Sequence, residues 1–196
     1  MLEPNNFKAL LSDFSLDEVQ RLVDENPNLR GYLQGYLAEH KLKSLLEATP
    51  GVGSVEKIPD SSPIHGDFLV EYGGNLLYVE AKSFRYRSSR FDHLTQSWEG
   101  TVECKNPGSR LLRSPGGKPF RATCVEEGRF DVLAVCTQPV TGSWSFVFAP
   151  EPFLPRAENK PGFLQGKFKV DPLLSPGFYS DPIKAFDLAL SLKIQG

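Results

Sequence analysis

The chain has few of the residues that build metal clusters or disulfide frameworks, with three cysteines and three histidines in 196 residues. Cys104, Cys124 and Cys136 are an odd number at spacings unlike a zinc site, and His40, His65 and His93 do not complete one. Reduced, buried thiols are expected. No apolar run approaches the length of a membrane span, and the opening Met-Leu-Glu-Pro-Asn-Asn lacks the basic and apolar regions of a signal peptide. A cytoplasmic protein with no membrane partner is the expectation. Internal repeats are missing too. So is any surplus of positive charge: the net charge is −2, so affinity for a polyanion would have to come from how the charges are distributed. With 40% hydrophobic residues the chain can bury one sizeable core, and a single domain over 1–196 is expected.

What the chain does have is concentrated in residues 65 to 83, H-G-D-F-L-V-E-Y-G-G-N-L-L-Y-V-E-A-K-S. Phe68, Leu69 and Val70 form a short apolar run, Gly73-Gly74-Asn75 is a turn signal, and residues 76 to 81 are β-prone, which predicts a hairpin. Glu80 and Lys82 are two apart on an apolar strand, so they share a face while Ala81 points to the other. Antiparallel pairing around residues 73 to 75 joins partners whose numbers sum to about 148, which places Asp67 beside Ala81 and near both its neighbours. Asp67, Glu80 and Lys82 should therefore converge. Mg²⁺ takes oxygen ligands and keeps several waters, so one or two carboxylates plus a substrate phosphate make a sufficient site. A lysine beside them could orient or deprotonate an attacking water, or stabilise charge growing on a phosphate. Taken alone, Glu-x-Lys is common and reads as a salt bridge at a solvated strand end.

The context is a helix over residues 29 to 48. Gly31, Gly35 and Glu39 recur at intervals of four and so lie along one side of it. The glycines are expected to let the backbone approach the sheet, with Tyr32, Tyr36 and Lys43 flanking Glu39. The bland alternative for Glu39 is an i, i+4 ion pair with Lys43.

A helix with Glu39, a strand, a strand with Asp67 and a strand with Glu80-Ala81-Lys82 is an order that resembles the PD-(D/E)xK nuclease superfamily, which includes many restriction enzymes and Holliday junction resolvases. The resemblance implies an α/β (α+β) fold with a restriction-endonuclease-like core, a central mixed β-sheet flanked by helices. It also implies roles for residues: Glu39 as the helix acid, Asp67 and Glu80 as metal ligands, the Ala81 carbonyl as a further ligand, and Lys82 as the catalytic lysine. Mg²⁺, with Mn²⁺ as a substitute, would be the cofactor. Gly66 stands where the family name has Pro, and the literal Pro59-Asp60 lies seven residues upstream in a proline- and serine-rich loop. A second match, Glu103-Cys104-Lys105, has no paired acid strand before it and is read as an auxiliary DNA or scaffold contact.

Residues 85 to 121 hold eight basic residues (Arg85, Arg87, Arg90, Lys105, Arg110, Arg113, Lys118 and Arg121) against three acids, whereas residues 1 to 48 carry eight acids and five bases. A solvated surface is the ordinary reading of such a run. Beside a phosphodiester site it suits a nucleic-acid substrate. Elsewhere, Ser15-Leu16-Asp17-Glu18 predicts a capping box and Pro27 a helix stop. Strands are expected near 54 to 58, 66 to 72 and 76 to 82, with 84 to 103 ambiguous between helix and irregular flap. A second hairpin should close around 114 to 118, the run at 130 to 137 should be a central strand, and 143 to 148 should alternate as its partner. Asp131 is assigned to hydrogen bonding at the strand start. The core is placed at about 29–150, followed by an arm and a closing helix in 151–196 that begins at Asp181-Pro182. The function these readings favour is a Mg²⁺-dependent endonuclease cutting DNA to 5′-phosphate ends, working as a homodimer in prokaryotic host defence. A Holliday junction resolvase or repair nuclease is the enzyme alternative. A catalytically silent nucleic-acid-binding or scaffold subunit is the alternative from another class.

Overall fold

The computed structural model describes residues 12–62, 66–85, 88–92, 94, 97–113, 119–170 and 176–195. The chain divides into two compact units, residues 1–37 and 38–196. In the first, helix α1 (Leu16–Glu25) opens with the expected capping box: the Ser15 hydroxyl accepts from the Glu18 amide, and the Glu18 carboxylate accepts from the Ser15 amide at 2.8 Å. The helix ends at Glu25, two residues before Pro27, and the side chain of its C-cap Asn26 donates to the Leu22 carbonyl. Helix α2 (Pro27–Glu47) starts at that proline, whose missing N–H costs nothing in a first helical turn. Its C-terminal half belongs to the second unit, where Ala38, Leu42 and Leu46 form a buried stripe at intervals of four.

The second unit is built on a five-stranded mixed sheet in the order β1 (Val52–Lys57), β2 (Phe68–Tyr72), β3 (Asn75–Ser83), β8 (Val132–Cys136), β9 (Phe146–Pro150). All neighbours are antiparallel except β3 and β8, which run parallel. Both faces are covered, as the chemistry of β8 requires: Val132, Ala134 and Cys136 join one apolar cluster, with Leu42, Leu46 and Phe186, while Leu133 and Val135 join another, with Val102, Leu164 and Phe168. Helix α4 (Pro182–Gln195) packs on the first face through Ala185, Phe186 and Ala189, and the Asp181 carboxylate accepts from the Ile183 amide at its start.

Three expectations change here. The ambiguous stretch holds strands β4 (Arg90–Asp92) and β5 (Ser97–Val102), and β5 pairs with β10 (Phe168–Val170), so part of the proline-rich segment is sheet. Between β8 and β9 lies a short helix α3 (Gln138–Thr141) instead of a direct hairpin turn. Strand β9 is buried at every position and does not alternate, because Phe146 and Phe148 face one cluster and Val147 and Ala149 the other. The second hairpin forms as expected, from β6 (Lys105–Arg113) and β7 (Pro119–Cys124), with its turn at 114–118 outside the described residues. Asp131 acts at the start of β8, accepting from the Tyr78 amide at 2.7 Å and pairing with Lys193 at 2.8 Å.

Candidate active site

The hairpin of β2 and β3 closes on Gly73 and Gly74, both with positive φ (55° and 77°), the geometry of a two-residue type I′ turn. Asn75 is therefore already in the strand, opposite Tyr72. Partner numbers sum to 147, one less than expected, as in the pair Phe68 and Val79. Convergence survives the shift, because Asp67 continues β2: its amide donates to the Val79 carbonyl at 2.8 Å and its Oδ2 accepts from the Ala81 amide at 2.7 Å. Gly66, just before it, has φ 92°. That conformation suits glycine and is closed to the proline of the family name.

Alternation along β3 sends Leu77, Val79 and Ala81 into the first apolar cluster and leaves Glu80 and Lys82 on the opposite face. There they form an ion pair, and Lys82 Nζ also donates to the Ala81 carbonyl at 3.2 Å. Side-chain exposure is 17% for Glu80 and 23% for Lys82. Burial, then the charge of Asp67, pushes the Glu80 carboxyl above its ordinary range, against the pull of Lys82. Burial works against the Lys82 ammonium, but Glu80 and Asp67 outweigh it and hold the lysine charged. Behind Lys82 lies the fully buried Cys104, whose thiol is pushed up to about 12, first by burial, and is inert at neutral pH.

Glu39 reaches the same region from α2. Its partner is Lys57 at 2.7 Å, while Lys43 pairs with Glu47, so the alternative pairing of Glu39 with Lys43 is not adopted. Tyr32 and Tyr36 are exposed. Lys57 was not among the residues singled out from the sequence, yet it lies between three acids: Glu39, Asp60 at 3.5 Å and Asp67 at 3.7 Å. Strand register was the signal for it, because Lys57 pairs with Phe68, the neighbour of Asp67. Burial raises the Glu39 carboxyl, the Lys57 hydrogen bond opposes this, and Asp67 adds to it.

The outer basic residues are dispersed. Glu103 takes both Arg85, at 2.5 Å, and Lys105, at 3.4 Å, so the second Glu-x-Lys forms a surface ion-pair group. Arg90 lies on β4, and Arg110, Arg113 and Arg121 lie on the β6–β7 hairpin. Arg87, Lys118, His65 and His93 fall outside the described residues.

Asp67, Glu80 and the Ala81 carbonyl supply hard oxygen donors of the kind Mg²⁺ takes. Glu80 and the Ala81 carbonyl already converge on one cation, the Lys82 ammonium. Among the described residues no group of three or more His, Cys, Asp and Glu is arranged around a common point. A metal here would rest on two carboxylates, a peptide oxygen and water. Among the described residues no helix is long and apolar enough to cross a membrane.

No protein-family model matches the sequence, and comparison with curated proteins gives no match. Among solved structures, a bacterial homing endonuclease is similar with a TM-score of 0.45 and 18% identity, over 71% of this chain and 76% of that one.

Proposed function

We propose that this protein is a Mg²⁺-dependent endonuclease that hydrolyses DNA phosphodiester bonds. The observation that carries the reading is the meeting of Asp67, Glu80 and Lys82 at adjacent ends of β2 and β3, with the helix acid Glu39 joined to the group through Lys57. The order of these residues along the chain is the one that resembles the PD-(D/E)xK nucleases, and the mixed sheet with a parallel strand beside β3 suits it. Asp67, Glu80 and the Ala81 carbonyl would hold the metal, with Glu39 as a further acid reaching it directly or through water. When bound, Mg²⁺ supplies a Lewis acid and lowers the pKa of a coordinated water.

The rest is done by side chains. Asp67 is fixed by the Ala81 amide, so its second oxygen keeps a constant direction. Lys82 is charged and anchored, which suits it to stabilise negative charge at a phosphate and to orient water. Arg90, Arg110, Arg113 and Arg121 would draw the polyanion to the protein, and Arg85 and Lys105 would join them once released from Glu103. Double-strand cleavage would require a homodimer, since one such site cuts one strand. A restriction-like defence role is the biology this chemistry fits. The test is incubation of purified protein with supercoiled plasmid, linear duplex, four-way junction and RNA, each with Mg²⁺ or chelator. Cleavage of linear and supercoiled DNA only with Mg²⁺ is the expected result. Preference for junctions over linear duplex would shift the reading to a resolvase, and cutting that persists in chelator would refute metal dependence.

A further inference from the structure

Residues 88–90 and the β5–β10 pair line an open groove of about 820 Å³ to which Asp67, Glu80, Lys82, Glu39 and Lys57 do not contribute. Its floor is Thr101 and Phe168, both buried, and its walls are polar. Arg90, Lys167 and Lys169 stand against one acid, Glu99, which pairs with Lys169 at 2.8 Å. Arg90, opposite Glu99 in the β4–β5 register, also acts on that carboxylate, while Lys167 makes no ion pair with another described residue. Ser89 adds a donor: its hydroxyl oxygen accepts from the Thr101 amide at 3.0 Å, so its hydrogen is available to a ligand.

Chemistry and position narrow the ligand. Pockets for small organic molecules are enclosed and mostly apolar, whereas this groove is open and cationic. Among the described residues one aromatic, Phe168, lines it, and that ring is buried. Cations and hydroxyls such as these contact phosphate oxygens, which position a strand without reading its bases. The groove is also tied to the catalytic strand, since the Arg85 amide donates to the Thr101 carbonyl at 3.0 Å and the Thr101 hydroxyl to the Ser88 carbonyl at 2.9 Å. Arg85 is three residues beyond Lys82, about 10 Å of extended chain, which is about three base steps of 3.4 Å along a strand.

We infer that this groove holds the phosphodiester backbone of the nucleic-acid strand flanking the cleavage site, through Arg90, Lys167, Lys169 and Ser89. The inference rests on the endonuclease reading and adds a binding element, drawn partly from the β10 region, that anchors the substrate a few nucleotides from the reacting bond.

The test uses the full chain with Asp67→Asn, which prevents cutting, with and without Arg90→Gln, Lys167→Gln and Lys169→Gln together. All three side chains are solvent-exposed, so folding should be retained, as circular dichroism would check. The triple change should weaken binding of a 20-base-pair duplex about ten-fold or more and flatten the plot of log affinity against log salt by about 0.9 per lost contact. Acetylation of Lys167 and Lys169 by an N-hydroxysuccinimide ester, read by mass spectrometry, should be slowed by the duplex but not by inorganic phosphate. Unchanged affinity and salt slope in the triple variant overturn the inference while leaving the nuclease reading intact. Equal protection by inorganic phosphate overturns it in favour of a small-anion site. A parent chain that binds no DNA overturns both.

Discussion

Replacing Lys82 with Met keeps the aliphatic stem and removes the ammonium, leaving Glu80 facing Asp67 with no cation on it. Breaking a buried ion pair from one side costs about 3–5 kcal/mol. Because both partners keep some exposure (17% and 23%), the cost falls below that range, to about 2–3 kcal/mol. In a chain of this size each kcal/mol moves Tm by about 2–4 °C, so Tm at pH 8 should fall by about 4–12 °C. The loss should depend on pH, with a definite sign. Glu80 is already raised by burial and by Asp67, and Lys82 opposes them most, with a smaller pull from Lys57. Without Lys82 the folded state binds this proton still more tightly than the unfolded state does. Between the ordinary value of 4.5 and the raised folded value, stability must therefore fall as pH rises. The slope should approach about 1.4 kcal/mol per pH unit. Thermal melts from pH 5 to 8.5 should show Lys82→Met close to the parent at pH 5 and furthest below it at pH 8. Adding Glu80→Gln removes the stranded carboxylate and should restore stability to within about 1 kcal/mol of the parent. A deficit equal at pH 5 and pH 8, or a double variant as unstable as the single one, would refute the coupling.

Lys82→Ala should eliminate turnover, whereas Glu103→Ala and Lys105→Ala should reduce it less; an inactive Lys105 variant beside an active Lys82 variant would reverse the choice of motif. Lys57→Gln removes the group that opposes the rise of the Glu39 carboxyl, so the acid limb of the pH–activity profile should move to higher pH, and Lys57→Arg should bring it back. An unmoved limb would separate Glu39 from the reaction. Neutralising Arg110 and Arg113 should reduce the salt slope of DNA binding by about 0.9 per lost contact, and an unchanged slope would remove the β6–β7 hairpin from the DNA path. Sedimentation should show a homodimer if the products are double-strand breaks, and a monomer that only nicks would argue against paired sites.

Local signals carried much of this structure. Gly73-Gly74 announces a tight turn, and the alternation Leu77, Val79, Ala81 against Glu80 and Lys82 follows from the pleat. The register error of one arose from counting Asn75 in the turn, which only the positive φ values of both glycines decide. Strand β8 was legible as central because an unbroken apolar run needs cover on both faces. Long-range pairings were not legible. Strand β10 joins β5 across more than sixty residues, and its alternation of Phe168, Lys169 and Val170 is too short for a local pattern to announce either the pairing or the groove beside it. Lys57 was hidden for a different reason: it is one lysine at a strand end, and its meaning depends on pairing with Phe68 and on which way Glu39 leaves the helix. The alternative pairing of Glu39 with Lys43 could not be decided from the sequence, because Glu47 lies equally near Lys43 and takes it.

The most direct measurement is supercoiled-plasmid cleavage by the parent and by Asp67→Asn, each with Mg²⁺ and with chelator. Asparagine keeps an oxygen to accept from the Ala81 amide, so the strand ends stay joined while the carboxylate charge is lost. The account predicts cutting by the parent with Mg²⁺ alone and none by Asp67→Asn, whose melting temperature should stay within a few degrees of the parent's. Cleavage by Asp67→Asn at the parent rate would contradict it, as would a folded parent that cuts no DNA with Mg²⁺.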